Sequence, residues 1–159
     1  MQKEIERKFL LKNDDWKGKA EPVLFRQGYI ARTTDRTVRV RVANNQGFLT
    51  IKLRVGPISR HEYEYAIPLH EANELLNALD STEIIEKYRY TFEECGHIWE
   101  IDEFLGANAG LCIAEVELKN ENEHITFPSW IGEEVSKLSK YLNVSLSQNP
   151  YSDWNKNSS

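Results

Sequence analysis

Cysteine is scarce in this chain of 159 residues: Cys95 and Cys112 are its only two. They form no C-x-x-C and have no second pair beside them, so zinc-ribbon and dithiol redox chemistry are excluded and both read as packed thiols. The four histidines, His61, His70, His97 and His124, show no i,i+4 pairing and no H-E-x-x-H, which excludes a histidine-based zinc hydrolase. No apolar run approaches the roughly 20 residues of a membrane span. The start, with Lys3, Glu4 and Glu6, lacks the apolar core of a signal peptide, so a cytoplasmic protein without a membrane partner is expected. None of the 8 glycines builds a G-x-x-x-x-G-K-[ST] or a G-x-G-x-x-G, so phosphates cannot be held by a glycine-rich loop at a helix start. There is no G-x-S-x-G either, which argues against acyl transfer. A net charge of -5 speaks against a protein that coats nucleic acid through its phosphates, but it leaves a small phosphate ligand open, because there the local field decides.

What the chain does have is alternation. With 40% apolar and 28% charged residues, its length suits one domain over residues 1–159 with one core, the stretch 145–159 being partly irregular and its last residues mobile. Alternating segments predict strands over 2–11, 23–33, 36–43, 48–55, 60–68, 84–94, 97–105 and 112–119. "NNQG" and "ECGH" read as hairpin connections. Helical spacing appears in "HEANELLNALD", which aligns Leu69, Ala72, Leu75, Leu76 and Leu79. It appears again in "PSWIGEEVSKLSKYL", through Trp130, Ile131, Val135, Leu138 and Leu142.

The strands carry their charges in a particular way. Every clear strand except 23–33 has a pair of like charges at i,i+2, hence on one face. The basic pairs are Arg39 with Arg41, Lys52 with Arg54, and Lys87 with Arg89. The acidic pairs are Glu4 with Glu6, Glu62 with Glu64, Glu100 with Asp102, and Glu115 with Glu117. The alternate residues, such as Val38, Val40 and Val42, are apolar and must face the packing. On a merely solvated face, neighbours of opposite sign would be favoured. Like charges about 7 Å apart repel by roughly 2 kcal/mol at an effective dielectric of 20. Something must therefore neutralise these pairs: basic strands facing acidic ones across an enclosed space, or bound ions of opposite sign. Eight antiparallel strands can close into a barrel lined by alternate residues. Carboxylates without His or Cys select hard cations such as Mg2+ or Mn2+, and Arg with Lys binds phosphate oxygens. Together they describe a site for a metal-bound di- or triphosphate. Arg7 and Arg60 are expected on the surface, and the tryptophans in packing or in loops.

Glu4, Glu6 and Lys8 in "EIERK" match the E-x-E-x-K signature of the CYTH superfamily, the triphosphate tunnel metalloenzymes. The resemblance continues through "VRVR", "LTIK", "EYEY", "EKYRY", "WEIDEF" and "AEVEL". It ends in "GEEVSKLSKYLN", which resembles the family's carboxy-terminal helix followed by a Tyr-x-Asn element. The resemblance implies a mainly β (α+β) fold, an eight-stranded antiparallel closed tunnel barrel with flanking helices. It implies hydrolysis of a triphosphate with Mg2+ or Mn2+, inorganic triphosphate leading, as in the short bacterial-type members. Carried over, Glu4, Glu6, Glu115 and Glu117 hold metal, with Glu62, Glu64 and Asp102 as further ligands or water holders. Lys8, Arg39, Arg41, Lys52, Lys87 and Arg89 clamp phosphates, with Arg54 continuing their parity. Lys8 with Tyr29 resembles a pair that activates the attacking water. Adenylate cyclase, nucleoside or thiamine triphosphatase, and a non-catalytic polyphosphate or nucleotide sensor are the alternatives on this fold, and a homodimer is open.

Overall fold

The structure, a computed structural model, describes residues 1–156. Nine strands form one sheet: β1 (Gln2–Leu11), β2 (Val23–Arg32), β3 (Arg36–Ala43), β4 (Gln46–Arg54), β5 (Ser59–Ile67), β6 (Ile85–Glu94), β7 (His97–Phe104), β8 (Cys112–Glu117) and β9 (Ile131–Glu134). The order is β5-β4-β3-β2-β6-β7-β8-β1, and β1 pairs back onto β5, closing eight antiparallel strands into a barrel. All eight strands read from alternation are present. Both hairpins turn as expected: Asn44 and Asn45 between β3 and β4, and Cys95 and Gly96 between β6 and β7, carry the paired positive φ of a two-residue turn matched to strand twist. Cys95 and Cys112 are free thiols.

The cores lie largely outside the barrel. Ile5, Phe9, Trp99, Ile101, Ala114 and Val116, on the outward faces of β1, β7 and β8, pack with Trp16, Ile125 and Trp130 from the loops that cover them. The helix α1 (Leu69–Asn77) lays Ala72 and Leu76 on the outward Val40 of β3. It approaches closely at Gly47, where a Cβ would sit 2.6 Å from that of Ala72. Inside, apolar residues appear at one end only. Ile85, Phe104 and Ile113 continue the inward parity of Lys87, Asp102 and Glu115, and cluster with Val135, Tyr141 and Leu146. The segment after β9 thus plugs the tunnel.

One expected element is corrected. Residues 128–142 do not form a helix: β9 comes first, then a 3-10 turn at Ser139–Tyr141, and helix appears only in the short α2 (Asn143–Leu146). The reason is an unpaired edge. Between Phe9 and Leu11, β1 has run past β5 and still offers backbone groups, and β9 takes them, with Lys12 donating to the Trp130 carbonyl and Val135 to that of Lys8. Gly132 permits the approach, since a Cβ there would lie 2.9 Å from the Leu10 carbonyl oxygen. Edge pairing outweighed helical spacing. Trp130 accordingly precedes a strand rather than beginning a helix. The irregular tail expected from residue 145 contains the end of α2 and a 3-10 turn at Tyr151–Lys156; residues 157–159 lie outside the described residues.

Candidate active site

The inward parity of eight strands converges on one cavity of about 260 Å3. Its lining includes Glu4, Glu6 and Lys8 from β1; Tyr29 from β2; Arg39 and Arg41 from β3; and Lys52 and Arg54 from β4. Glu62 and Glu64 from β5, Lys87 and Arg89 from β6, and Glu115 and Glu117 from β8 follow, so every expected site residue except Asp102 lines it. Sheet order sorts these charges. Neighbouring strands β4, β3, β2 and β6 form a basic arc, while β7, β8, β1 and β5 form an acidic one. Lys8 and Arg60 stand inside the acidic arc. Arg60 was expected on the surface, but it shares the parity of Glu62 and lines the cavity. Arg7, of opposite parity, lies outside, bonded by two nitrogens to Glu134 of β9 at 2.9 and 2.6 Å.

On the acidic arc like charges face each other in register, Glu6 opposite Glu117 and Glu100 opposite Glu115. Burial, reinforced by Glu4, Glu6, Glu62 and Glu100, pushes Glu117 above the ordinary carboxylate range. Burial also raises Glu100, against the pull of Arg89. Lysines compensate part of this field. Lys8 Nζ lies 2.6 Å from Glu115 and 3.3 Å from Glu6. Lys52 Nζ lies 3.0 Å from Glu4 and 3.6 Å from Glu62. With the carboxylates turned onto these ammonium groups, no three of them among the described residues converge as a ready-made metal cage. The donor set still suits a hard divalent cation, which takes oxygen ligands only in part from protein and would relieve the repulsion that raises Glu117.

The basic arc is short of counter-charge. Arg39 is buried, donates from Nη2 to Thr50 Oγ1 at 3.3 Å, and leaves its Nε without a partner. Arg41 donates from Nε to the neutral Gln27 Oε1 at 2.7 Å. Burial, with Arg39 and Arg89 beside it, brings Arg41 down to about 9. Burial brings Lys87 down to about 7, against the pull of Asp102 and with the push of Arg89 and Arg41. Arg41 makes no ion pair among the described residues, Arg39 reaches Glu64 only at 3.9 Å, and Lys87 shares Asp102 with Arg89, so the arc is left with excess buried positive charge, which suits an anion.

Two expected site residues stand in surroundings that their sequence pattern did not show. Asp102 is fully buried and does not line the cavity; both its oxygens are taken, Oδ1 by Arg89 Nε at 2.8 Å and Oδ2 by Lys87 Nζ at 2.7 Å and Arg89 Nη2 at 2.9 Å. It anchors two cations from behind, and Glu100, two residues earlier, faces the cavity in its place. The i,i+2 pairing in the sequence contained that signal. Lys8 is the second case. Burial opposes its charge, but Glu115 and Glu6 more than offset this and raise its pKa above the ordinary lysine value. Tyr29 stands on β2, across the barrel from β1, and no hydrogen bond joins it to Lys8 among the described residues. Alternation gave no hint of two amides, Gln27 and Asn143, although Asn143 lies in the Tyr-x-Asn element.

A closed antiparallel tunnel, plugged at one end and lined by opposed acidic and basic arcs, defines a class of polyanion- and metal-binding β barrels. The family model described as the CYTH domain matches residues 2–149, and the chain belongs to that family. It is 52% identical over 154 residues to a protein of Acetivibrio thermocellus named inorganic triphosphatase, covering 97% of this chain and 99% of that one. A Nitrosomonas europaea protein of the same name is 36% identical over 147 residues, 90% of this chain and 95% of the other. The crystal structure of an inorganic triphosphatase superposes with a TM-score of 0.67 at 33% identity, covering 90% of this chain and 96% of that chain. Among the described residues, no helix is long and apolar enough to cross a membrane.

Proposed function

We propose that this protein hydrolyses inorganic triphosphate to pyrophosphate and orthophosphate with Mg2+ or Mn2+. The observation that carries the reading is the divided lining: under-compensated cations on one arc, mutually repelling carboxylates on the other, in one closed cavity. A linear triphosphate bridges them, its oxygens answering Arg39, Arg41, Lys87 and Arg89, with Lys52, Arg54 and Lys8 further along the lining. Glu4, Glu6, Glu115 and Glu117 are the carboxylates that would hold the metal, with Glu62, Glu64 and Glu100 lining the same cavity. A divalent ion held there supplies charge neutralisation on the phosphoryl oxygens and polarises water.

The chain's own contribution is positioning. Cations fixed by buried partners meet the charge that spreads over the transferred phosphoryl group during in-line attack by water, and they need no reorganisation to do so. Lys8, with its raised pKa, orients Glu6 and Glu115 rather than taking a proton from water. The relatives' names support inorganic triphosphate. So does the lining, whose side chains are charged or bear hydroxyls or an amide apart from Leu142 and Val144, and so offer phosphate contacts rather than a platform for a base.

The test is orthophosphate release from inorganic triphosphate, ATP and thiamine triphosphate, each with Mg2+, Mn2+ or EDTA, with cyclic AMP followed alongside. Release is expected to be fastest from inorganic triphosphate, abolished by EDTA, and at least about 10^2-fold lower in a Glu4→Ala, Glu6→Ala variant. Triphosphate that raises the melting temperature yet is not turned over with any metal would reduce the tunnel to a binding module.

A further inference from the structure

We infer that Gln27 and Asn143 are positioning residues, holding the phosphate-facing cations in register without adding a counter-charge of their own. The inference rests on the reading of the tunnel as a triphosphate site. Six side chains form one continuous chain of hydrogen bonds across the basic arc. Arg41 Nε donates to Gln27 Oε1 at 2.7 Å, and Gln27 Nε2 donates to Asn143 Oδ1 at 3.2 Å. Lys87 Nζ donates to the same Asn143 oxygen at 3.0 Å and to Asp102 Oδ2 at 2.7 Å, and Arg89 closes the series by gripping Asp102 with two nitrogens. Three cations from β3 and β6 are thereby tied through β2 to the segment that plugs the tunnel.

The ends of the chain dictate its sense. Arginine and lysine only donate, so Gln27 must turn its oxygen to Arg41, and Asn143 must turn its oxygen to Lys87. Gln27 Nε2 is then left to donate to Asn143, and each amide has one arrangement that satisfies both neighbours. Gln27 is fully buried, so no water substitutes for these bonds at low cost.

The neutrality of the two amides is the functional point. A glutamate at 27 or an aspartate at 143 has the same shape and would accept the same bonds from Arg41 or Lys87. It would also neutralise the cation it holds. Arg41 makes no ion pair among the described residues; its nitrogen is aimed by an uncharged oxygen. Behind Arg89, by contrast, a carboxylate is used, and there the guanidinium already pairs with Asp102 and with Glu100 at 3.0 Å. The clamp thus combines two cations that share the Asp102 carboxylate with one, Arg41, that is held but not compensated.

Gln27→Glu tests this directly, with Gln27→Met as the control that removes the bridge without adding charge. Triphosphate binding by calorimetry and steady-state hydrolysis are measured on the full chain. In Gln27→Glu, Kd and KM are expected to rise roughly tenfold to a hundredfold, with a melting temperature equal to or above wild type. In Gln27→Met, kcat falls while KM rises less than in the glutamate variant. Asn143→Asp gives the same weakening through Lys87. A purely structural glutamine predicts the opposite pattern: lower melting temperature in both variants and no difference in KM between them. Binding by Gln27→Glu within about twofold of wild type, or a lower melting temperature than that of Gln27→Met, overturns the inference. Wild-type protein that neither binds nor hydrolyses triphosphate overturns the site reading as well, so the two failures are distinguishable.

Discussion

Asp102 offers a direct test of how the tunnel is held together. Asp102→Asn preserves shape and removes one buried negative charge, leaving Lys87 and Arg89 without the carboxylate that both grip. Breaking a buried pair from one side costs about 3 to 5 kcal/mol. Two features favour the lower end. Lys87, already at about 7, can shed its proton, and Arg89 retains Glu100 at 3.0 Å and Glu115 at 3.9 Å. At about 2 to 4 °C per kcal/mol for a chain of this size, a loss of about 3 kcal/mol lowers the melting temperature by roughly 6 to 12 °C. The pH dependence has a defined sign. Burial pushes Asp102 up, but Arg89 and Lys87 hold it down at about 2 against an ordinary 3.8. Its own contribution is therefore complete above 3.8 and disappears as pH falls through 2, so the part of the difference that this carboxylate supplies should be lost below about pH 4. Thermal denaturation with Mg2+ and with EDTA is the assay, and the loss should be the same in both. A double variant with Lys87→Met should recover part of it. A melting temperature within about 1 °C of wild type, together with weakened Mg2+ affinity, would refute the reasoning and return Asp102 to the metal ligands.

Lys87 sits at about 7, against 10.5 for an ordinary lysine, so the folded chain binds fewer protons than the unfolded chain between those values, and this group makes stability rise with pH across that window. A bound polyanion should restore its ammonium. Triphosphate binding at pH 8 is then expected to take up a proton that Lys87→Met does not take up, read by calorimetry in two buffers of different ionisation heat; equal uptake by both proteins refutes it. Lys8, its pKa raised by Glu115 and Glu6, should not set the alkaline limb of the rate profile. Lys8→Ala is expected to lower kcat without moving that limb, and a limb that shifts would restore Lys8 as proton acceptor. Gly132→Ala should destabilise by about 1 to 3 kcal/mol, because the new Cβ meets the Leu10 carbonyl, a backbone atom that cannot turn away. An unchanged melting temperature would show that β9 is not held to β1 by that contact.

Much of the site was legible because a strand has period two. Glu4, Glu6 and Lys8 share a face whatever the barrel does, and so do Arg39 with Arg41 and Lys87 with Arg89. Parity also contained residues that were passed over. Arg60 stands two before Glu62, and Glu100 two before Asp102. Parity gives the face but not the depth: at the plugged end Asp102 is covered by the cations it anchors, while Glu100 meets the cavity. The amides Gln27 and Asn143 left no trace in a charge pattern because they carry no charge.

Local sequence therefore determined the strands, the two hairpins, the inward face of each strand and the sign of its charges, all of which follow from backbone geometry over a few residues. Closure was a tertiary decision. Pairing of β1 with β5 brought the acidic strands round into one arc opposite the basic one, and gave like charges a shared space in which to demand a counter-ion. The fate of residues 128–142 was decided the same way. Their spacing favoured a helix in isolation, but the unpaired edge of β1 offered backbone hydrogen bonds that no isolated segment can foresee.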